Sequence, residues 1–144
     1  MVGIKIKVVT LDNLIQEIQR KRTKLNLVER AAALSAEQVR AEAVRTLQGG
    51  TRSGRASPRP GGTVHIASAP GEPLKSDTGH LASHIFARVG KNFAEVGTSV
   101  SYGKFWEVDV SPGKRRPWLG PSFNKHKEAI IRRMAAATKR AMNG

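Results

Sequence analysis

Every phenylalanine, tyrosine and tryptophan in this chain lies between Phe86 and Phe123, and the first 85 residues hold none. Val96–Phe123, VGTSVSYGKFWEVDVSPGKRRPWLGPSF, carries both tryptophans, the only tyrosine, Phe105 and Phe123, with Phe86 and Phe93 just upstream. Aromatic side chains bury the most apolar area per residue. The expected core is therefore anchored by Tyr102, Phe105, Trp106, Trp118 and Phe123. The long N-terminal part packs onto that anchor or projects from it.

That N-terminal part divides by period. Gly3 to Val9 (GIKIKVV) alternates apolar and lysine positions, the pattern of a half-buried strand or of an edge strand guarded by lysines. Thr10 can cap a helix. From there apolar residues recur at Leu11, Leu14, Ile15, Ile18, Leu25 and Val28, then more weakly at Ala32, Ala36, Val39, Ala43 and Leu47. This is a helical stripe over about ten turns, with Gly49-Gly50 as its stop. The helix is long for a globular domain and its second half is alanine-rich and thinly apolar, so it is expected to extend past the core toward another subunit. Ser35-Ala36-Glu37-Gln38 fits a capping box. One continuous or kinked helix is favoured over a break there.

Residues 49–62, GGTRSGRASPRPGG, have no large apolar side chain, so they are expected to form a mobile loop or arm. Its Arg52, Arg55 and Arg59 are candidates to touch phosphate or an acidic partner; the plainer reading is a flexible loop. Thr63–Ser68 reads as a short strand, 69–77 as an extended connection and Gly79–Ser83 as a helical turn. Strands over about His84–Val89 and Phe93–Thr98 around a Gly90–Asn92 turn make an antiparallel hairpin. Tyr102–Glu107 reads as one or two helical turns, and Ser111-Pro112-Gly113 as a turn. A helix opens near Pro121, where a missing N–H costs nothing, with Phe123, Ile130, Met134, Ala137 and Ala141 along one face. The fold class is α+β: a small, mostly antiparallel sheet packed by a long N-terminal helix and a C-terminal helix. At 144 residues the chain is the size of one domain, 1–144, with the arm at about 49–62.

Charge is uneven. Residues 112–144 hold nine basic side chains against one acid, so +8 of the formal +14 sits in that final stretch. Such a field favours nucleic acid or an acidic partner protein, or it is a solvated helix face. Lys114, Arg115 and Arg116 are expected to stand outward on a loop with Asp109, between the two tryptophans, where a neighbour or DNA would be met. No run approaches the roughly 20 apolar residues of a membrane span, and the N-terminal residues lack a signal-peptide pattern, so a soluble protein used without secretion is expected.

Catalytic sets are hard to assemble from these residues. There is no cysteine, so thiolate metal sites and cysteine nucleophiles are excluded. His80 and His84 would share a helix face, but the nearby acids are only Glu72 and Asp77. Ser83-His84 and Ser101 lack an orienting acid and an oxyanion loop. The glycine pairs lack the lysine and hydroxyl of a phosphate loop. Neither an enzyme nor a metal or cofactor site is expected.

A resemblance is carried by four pieces in order: Thr78-Gly79-His80-Leu81; Val96-Gly97-Thr98 leading through Ser101-Tyr102-Gly103; Phe105-Trp106-Glu107; and Arg116-Pro117-Trp118-Leu119-Gly120-Pro121-Ser122-Phe123. Over about residues 70–123 this pattern resembles the tail-component family of long-tailed bacteriophages, whose members are called tail-completion, neck or lambda minor tail protein Z-like proteins. The chain departs from the family at Gly103 and Ser122, where alanine is common, and at Val108-Asp109-Val110, where the family has glycine soon after the glutamate.

The resemblance implies a structural virion protein assembled in the host bacterial cytoplasm as a homo-oligomeric ring, a hexamer, where tail joins head. Implied partners are the head–tail connector or adaptor and tail-terminator or tail-tube proteins, with non-specific contact to phage DNA and no membrane. No catalytic residue or cofactor carries over. The alternative is a small basic nucleic-acid-binding module, suggested by the basic C-terminal helix and the arginine arm. Against it, no aromatic is interleaved with those charges as a stacking platform.

Overall fold

The computed structural model describes residues 11–90 and 93–143. The strand expected over Gly3–Val9, the Thr10 cap and Lys91-Asn92 of the hairpin turn lie outside them. Helix α1 runs unbroken over Leu11–Gln48, followed by β1 (Ala56–Pro58), β2 (Val64–Ile66), α2 (His80–Ser83), β3 (Ile85–Gly90) and β4 (Phe93–Thr98). Helix α3 (Ser101–Lys104) continues into a π-helical turn, Phe105–Asp109; a 3-10 turn, Pro112–Lys114, precedes helix α4, Leu119–Asn143. The fold is α+β, with two separate two-stranded antiparallel sheets, β1–β2 and β3–β4.

Helix α1 ends where the stop signal stands. The Gly49 N–H donates to the Arg45 carbonyl at 2.8 Å, and Gly50 takes φ +78°, the left-handed conformation glycine adopts most readily. The Thr46 carbonyl accepts from Arg52 Nη2 at 2.8 Å, and the Leu47 carbonyl accepts from the Ser76 N–H at 2.8 Å. These contacts satisfy carbonyls that a helix end otherwise leaves open.

The core gathers Ala43 and Leu47 of α1, Leu74, Leu81 and Ala82 at α2, Ile85 of β3 and Trp118, with Val96, Val100, Trp106 and Leu119 packed against it. The alanine-rich half of α1, thinly apolar as it is, is thus the buried half. Ala31, Ala36 and Ala43 are small enough to let α4 and the β3–β4 hairpin approach the helix backbone. The part that leaves the core is the first half, where Ile15 and Ile18 are exposed.

Ser35 does not cap a break. Its hydroxyl donates to the Ala31 carbonyl at 2.8 Å within the continuous helix and accepts from Arg133 of α4 at 3.0 Å.

The 49–62 stretch is also tied down further than expected. Its Ala56–Pro58 pairs with Val64–Ile66 in the register Ser57↔His65, around Gly61 and Gly62, both with positive φ. Backbone polar groups supply what the missing apolar side chains cannot. The Gly54 N–H donates to the Ala67 carbonyl, the Ala67 N–H to the Arg55 carbonyl and the Arg59 N–H to the Thr63 carbonyl.

Candidate functional site

The four sequence pieces that carry the resemblance converge on one junction. Its centre is Glu107, on the π-helical turn. Its Oε2 accepts the backbone N–H groups of Trp118 at 2.7 Å and Leu119 at 3.0 Å, and its Oε1 accepts that of Gly120 at 2.7 Å. These are orphan donors at the start of α4, and the next residue, Pro121, has no N–H to satisfy. A carboxylate is the favoured charge at that end of a helix dipole.

Trp118 fills the space beneath. It is 1% exposed, and its indole Nε1 donates to the Gly103 carbonyl at 2.9 Å. Ser122 is buried beside it and donates to the Trp118 carbonyl at 2.5 Å. Gly103 admits no side chain without movement: an added Cβ would stand 2.8 Å from Leu81 Cδ1, 3.0 Å from Thr98 Cγ2 and 3.4 Å from Trp118 Cζ2. Thr98 in turn donates to the His84 carbonyl at 3.0 Å and accepts the Val100 N–H at 3.1 Å, joining β4 to α3.

The aromatic anchors separate accordingly. Trp118 is the buried one, and Trp106 is partly buried against the core with the Arg116 guanidinium 4.1 Å over its ring centroid. Tyr102, Phe105 and Phe123 are not core anchors, being 41%, 44% and 44% exposed. The short helical segment turns Gly103 and Trp106 inward, which leaves Tyr102 and Phe105 on its outer side.

The candidate contact residues divide too. Arg116 is not presented outward: its Nε donates to the Ser68 carbonyl at 2.7 Å while its plane lies on Trp106. Arg115 reaches back to the carbonyls of Val110 and Val108 at 3.3 and 3.1 Å. These carbonyl acceptors hold both guanidinium groups against the loop. Lys114 and Asp109 do stand exposed, the latter 3.7 Å from Lys104 Nζ. Arg52 is structural, bridging the end of α1 to the Pro73 carbonyl at 2.7 Å. Arg59 pairs with Asp77, and Arg55 is exposed.

Beneath the loop, Glu72 accepts from the Ser53 hydroxyl at 2.5 Å and from the backbone N–H groups of Ser53 and Ala69 at 3.0 and 2.9 Å. The Ser53 hydroxyl first, then the two N–H groups, hold its carboxyl down to about 2.

Helices α1 and α4 meet through a polar layer that the sequence reading did not contain. Glu42, 6% exposed, accepts from Lys125 at 2.7 Å and Arg45 at 2.6 Å and lies 3.3 Å from His126 Nε2. Lys125 first, then His126 and Arg45, hold its carboxyl below the usual carboxylate range against the opposing effect of burial. Gln38 Nε2 lies 3.0 Å from His126 Nδ1, and Gln38 Oε1 accepts from Arg133 at 2.9 Å. Lys125 and Arg133, counted as free basic charge in the sequence, are thus partly committed inside the fold.

Alongside this layer an open apolar groove of about 670 Å³ runs between α1, β4 and α4, walled by Val28 and Ala32, Phe93 and Ala94, and Phe123 and Met134. Among the described residues, Glu29 is the only charged one lining it.

His80 and His84 do stack, ring centroids 4.2 Å apart, and Ser83 Oγ lies 3.1 Å from His84 Nδ1. Among the described residues no group of three or more His, Asp or Glu side chains converges as a metal site, and no helix is long and apolar enough to cross a membrane.

Glu107 had one readable signal. Arg116-Pro117-Trp118 before α4 offers no Ser, Thr, Asp or Asn cap, so the acceptor had to come from elsewhere. No protein-family model, curated protein or solved structure matches this chain.

Proposed function

We propose that this chain is a structural protein of a long-tailed phage virion, a tail-completion or neck component. It joins the tail to the head connector by forming a homo-oligomeric ring and docking on its neighbours. The observation that carries the reading is the convergence of the four resemblance-bearing pieces on one packing unit, in which Leu81, Gly103, Glu107 and Trp118 meet. Each resemblance-bearing piece then has a packing or capping role, as a docking protein needs. The exposed Tyr102, Phe105 and Phe123 and the groove leave apolar surface for partners.

Imaging intact particles with the protein labelled is the test. Label at the head–tail junction, together with unjoined heads and tails in particles lacking the protein, is the expected result. Label elsewhere, or normally joined infectious particles without it, overturns the reading.

The nucleic-acid-binding reading rests on Lys127, Arg132, Lys139 and Arg140, all exposed on α4. It requires tight, steeply salt-dependent DNA binding by the monomer. The neck reading expects scattered phosphate contacts and negligible affinity at physiological salt.

A further inference from the structure

We infer that the projecting first half of α1 of one copy seats in the apolar groove of the next, so that the chain associates head to tail. The inference deepens the ring reading above by naming its contact.

Three features support it. First, the sequence sets Leu11, Leu14, Ile15 and Ile18 at i, i+3, i+4 and i+7 of α1, the anchor spacing by which an amphipathic helix enters a groove. Ile15 and Ile18 are 44% and 56% exposed, and the first buried residue of the helix is Ala31 among those described. Leu27 and Val28 are already half-buried beside α4 and the groove, so at most about 24 Å of helix, ahead of Leu27, stands outside the core at 1.5 Å per residue. A free helix of that length is marginal in water without a partner for its apolar face.

Second, the groove needs an occupant of this kind. It is open, apolar and bounded by helix, strand and helix, and its volume lies in the range of sites that bury a sizeable apolar group. Glu29 on its wall complements the basic flank of the projecting helix, where the sequence places Arg20, Arg22 and Lys24.

Third, the two cannot meet within one chain. Ile18 lies ten residues ahead of Val28 on the same rigid helix, about 15 Å along its axis. One intermolecular contact covers both surfaces. Because helix tip and groove are different patches, the contact is heterologous, and its repetition closes into a ring when the rotation per subunit allows.

The absence of cysteine supplies the test. Full-length Ile18→Cys and Ala94→Cys proteins are mixed and treated with a short bismaleimide; both positions are exposed, so neither change disturbs the core. A cross-linked dimer in the mixture, absent from either protein alone, is the expected result. In parallel, Ile15→Glu/Ile18→Glu should lose the oligomer seen for the wild type in sedimentation while keeping its helical circular dichroism.

Cross-linking by Ile18→Cys alone, an undiminished oligomer in the glutamate variant, or a wild type that stays monomeric at all concentrations overturns the contact. A ring at the neck that survives the glutamate variant overturns this contact and leaves the functional reading standing. A confirmed cross-link with label elsewhere in the particle does the reverse.

Discussion

The Glu107 carboxylate accepts the backbone N–H of Trp118 at 2.7 Å, eleven residues along the chain. Through that bond the π-helical turn after α3 holds the start of α4 and, with it, the most buried aromatic residue. Local sequence around α4 offers no cap, so the helix depends on a side chain from another element.

Glu107→Ala is expected to lower stability by about 2 kcal/mol, the upper end for losing a helix cap, because three N–H groups lose their acceptor at once. Glu107→Gln keeps one acceptor oxygen and should lose about half as much. Urea unfolding at neutral pH reads both; wild-type midpoints would remove the capping role.

Trp118→Ala should cost about 3–5 kcal/mol, the usual loss for truncating a buried large aromatic. Tyr102→Ala and Phe105→Ala should each cost under about 1 kcal/mol, because these rings already face solvent. Thermal melts of the three variants check the order, and equal losses would contradict the division of the aromatic segment.

Gly103→Ala sets a gain in helix propensity of up to about 1 kcal/mol against overpacking of about 1–3 kcal/mol. The added methyl meets Leu81 and Thr98 in a filled core, so a net loss near 1 kcal/mol is expected. A stabilised variant in denaturant titration would mean that Leu81 rotates away freely.

Glu72 and Glu42 have folded-state pKa values below the ordinary 4.5. A depressed value means that their stabilising contribution is complete above about 4.5 and is lost as the pH falls through the folded value, about 2 for Glu72. Stability should therefore decline from pH 4.5 downward. Glu72→Gln and Glu42→Gln should each flatten that decline while lowering stability at pH 7, as measured by unfolding across the acid range. Unchanged slopes in both would show that other carboxylates govern acid unfolding.

Local signals were legible because they depend on neighbours in sequence. The 3.6-residue stripe and Gly49-Gly50 marked α1 and its end, the Gly90–Asn92 turn residues marked the β3–β4 hairpin, and Pro121 marked the first turn of α4. The α+β class followed from that list of elements. The polar layer was not legible: Ser35 and Gln38 have the spacing of a capping box, and nothing local says that Arg133 and His126, nearly a hundred residues away, will take their hydrogen bonds.

What the sequence by itself determined is the set of elements and the concentration of aromatic groups in one segment. The tertiary structure alone decided which of those rings is the anchor and which half of α1 is covered. Periodicity tells which residues share a face, but burial depends on what arrives from elsewhere. Here α4 and the hairpin came down on the alanines, which allow the closest approach, and left Ile15 and Ile18 outside.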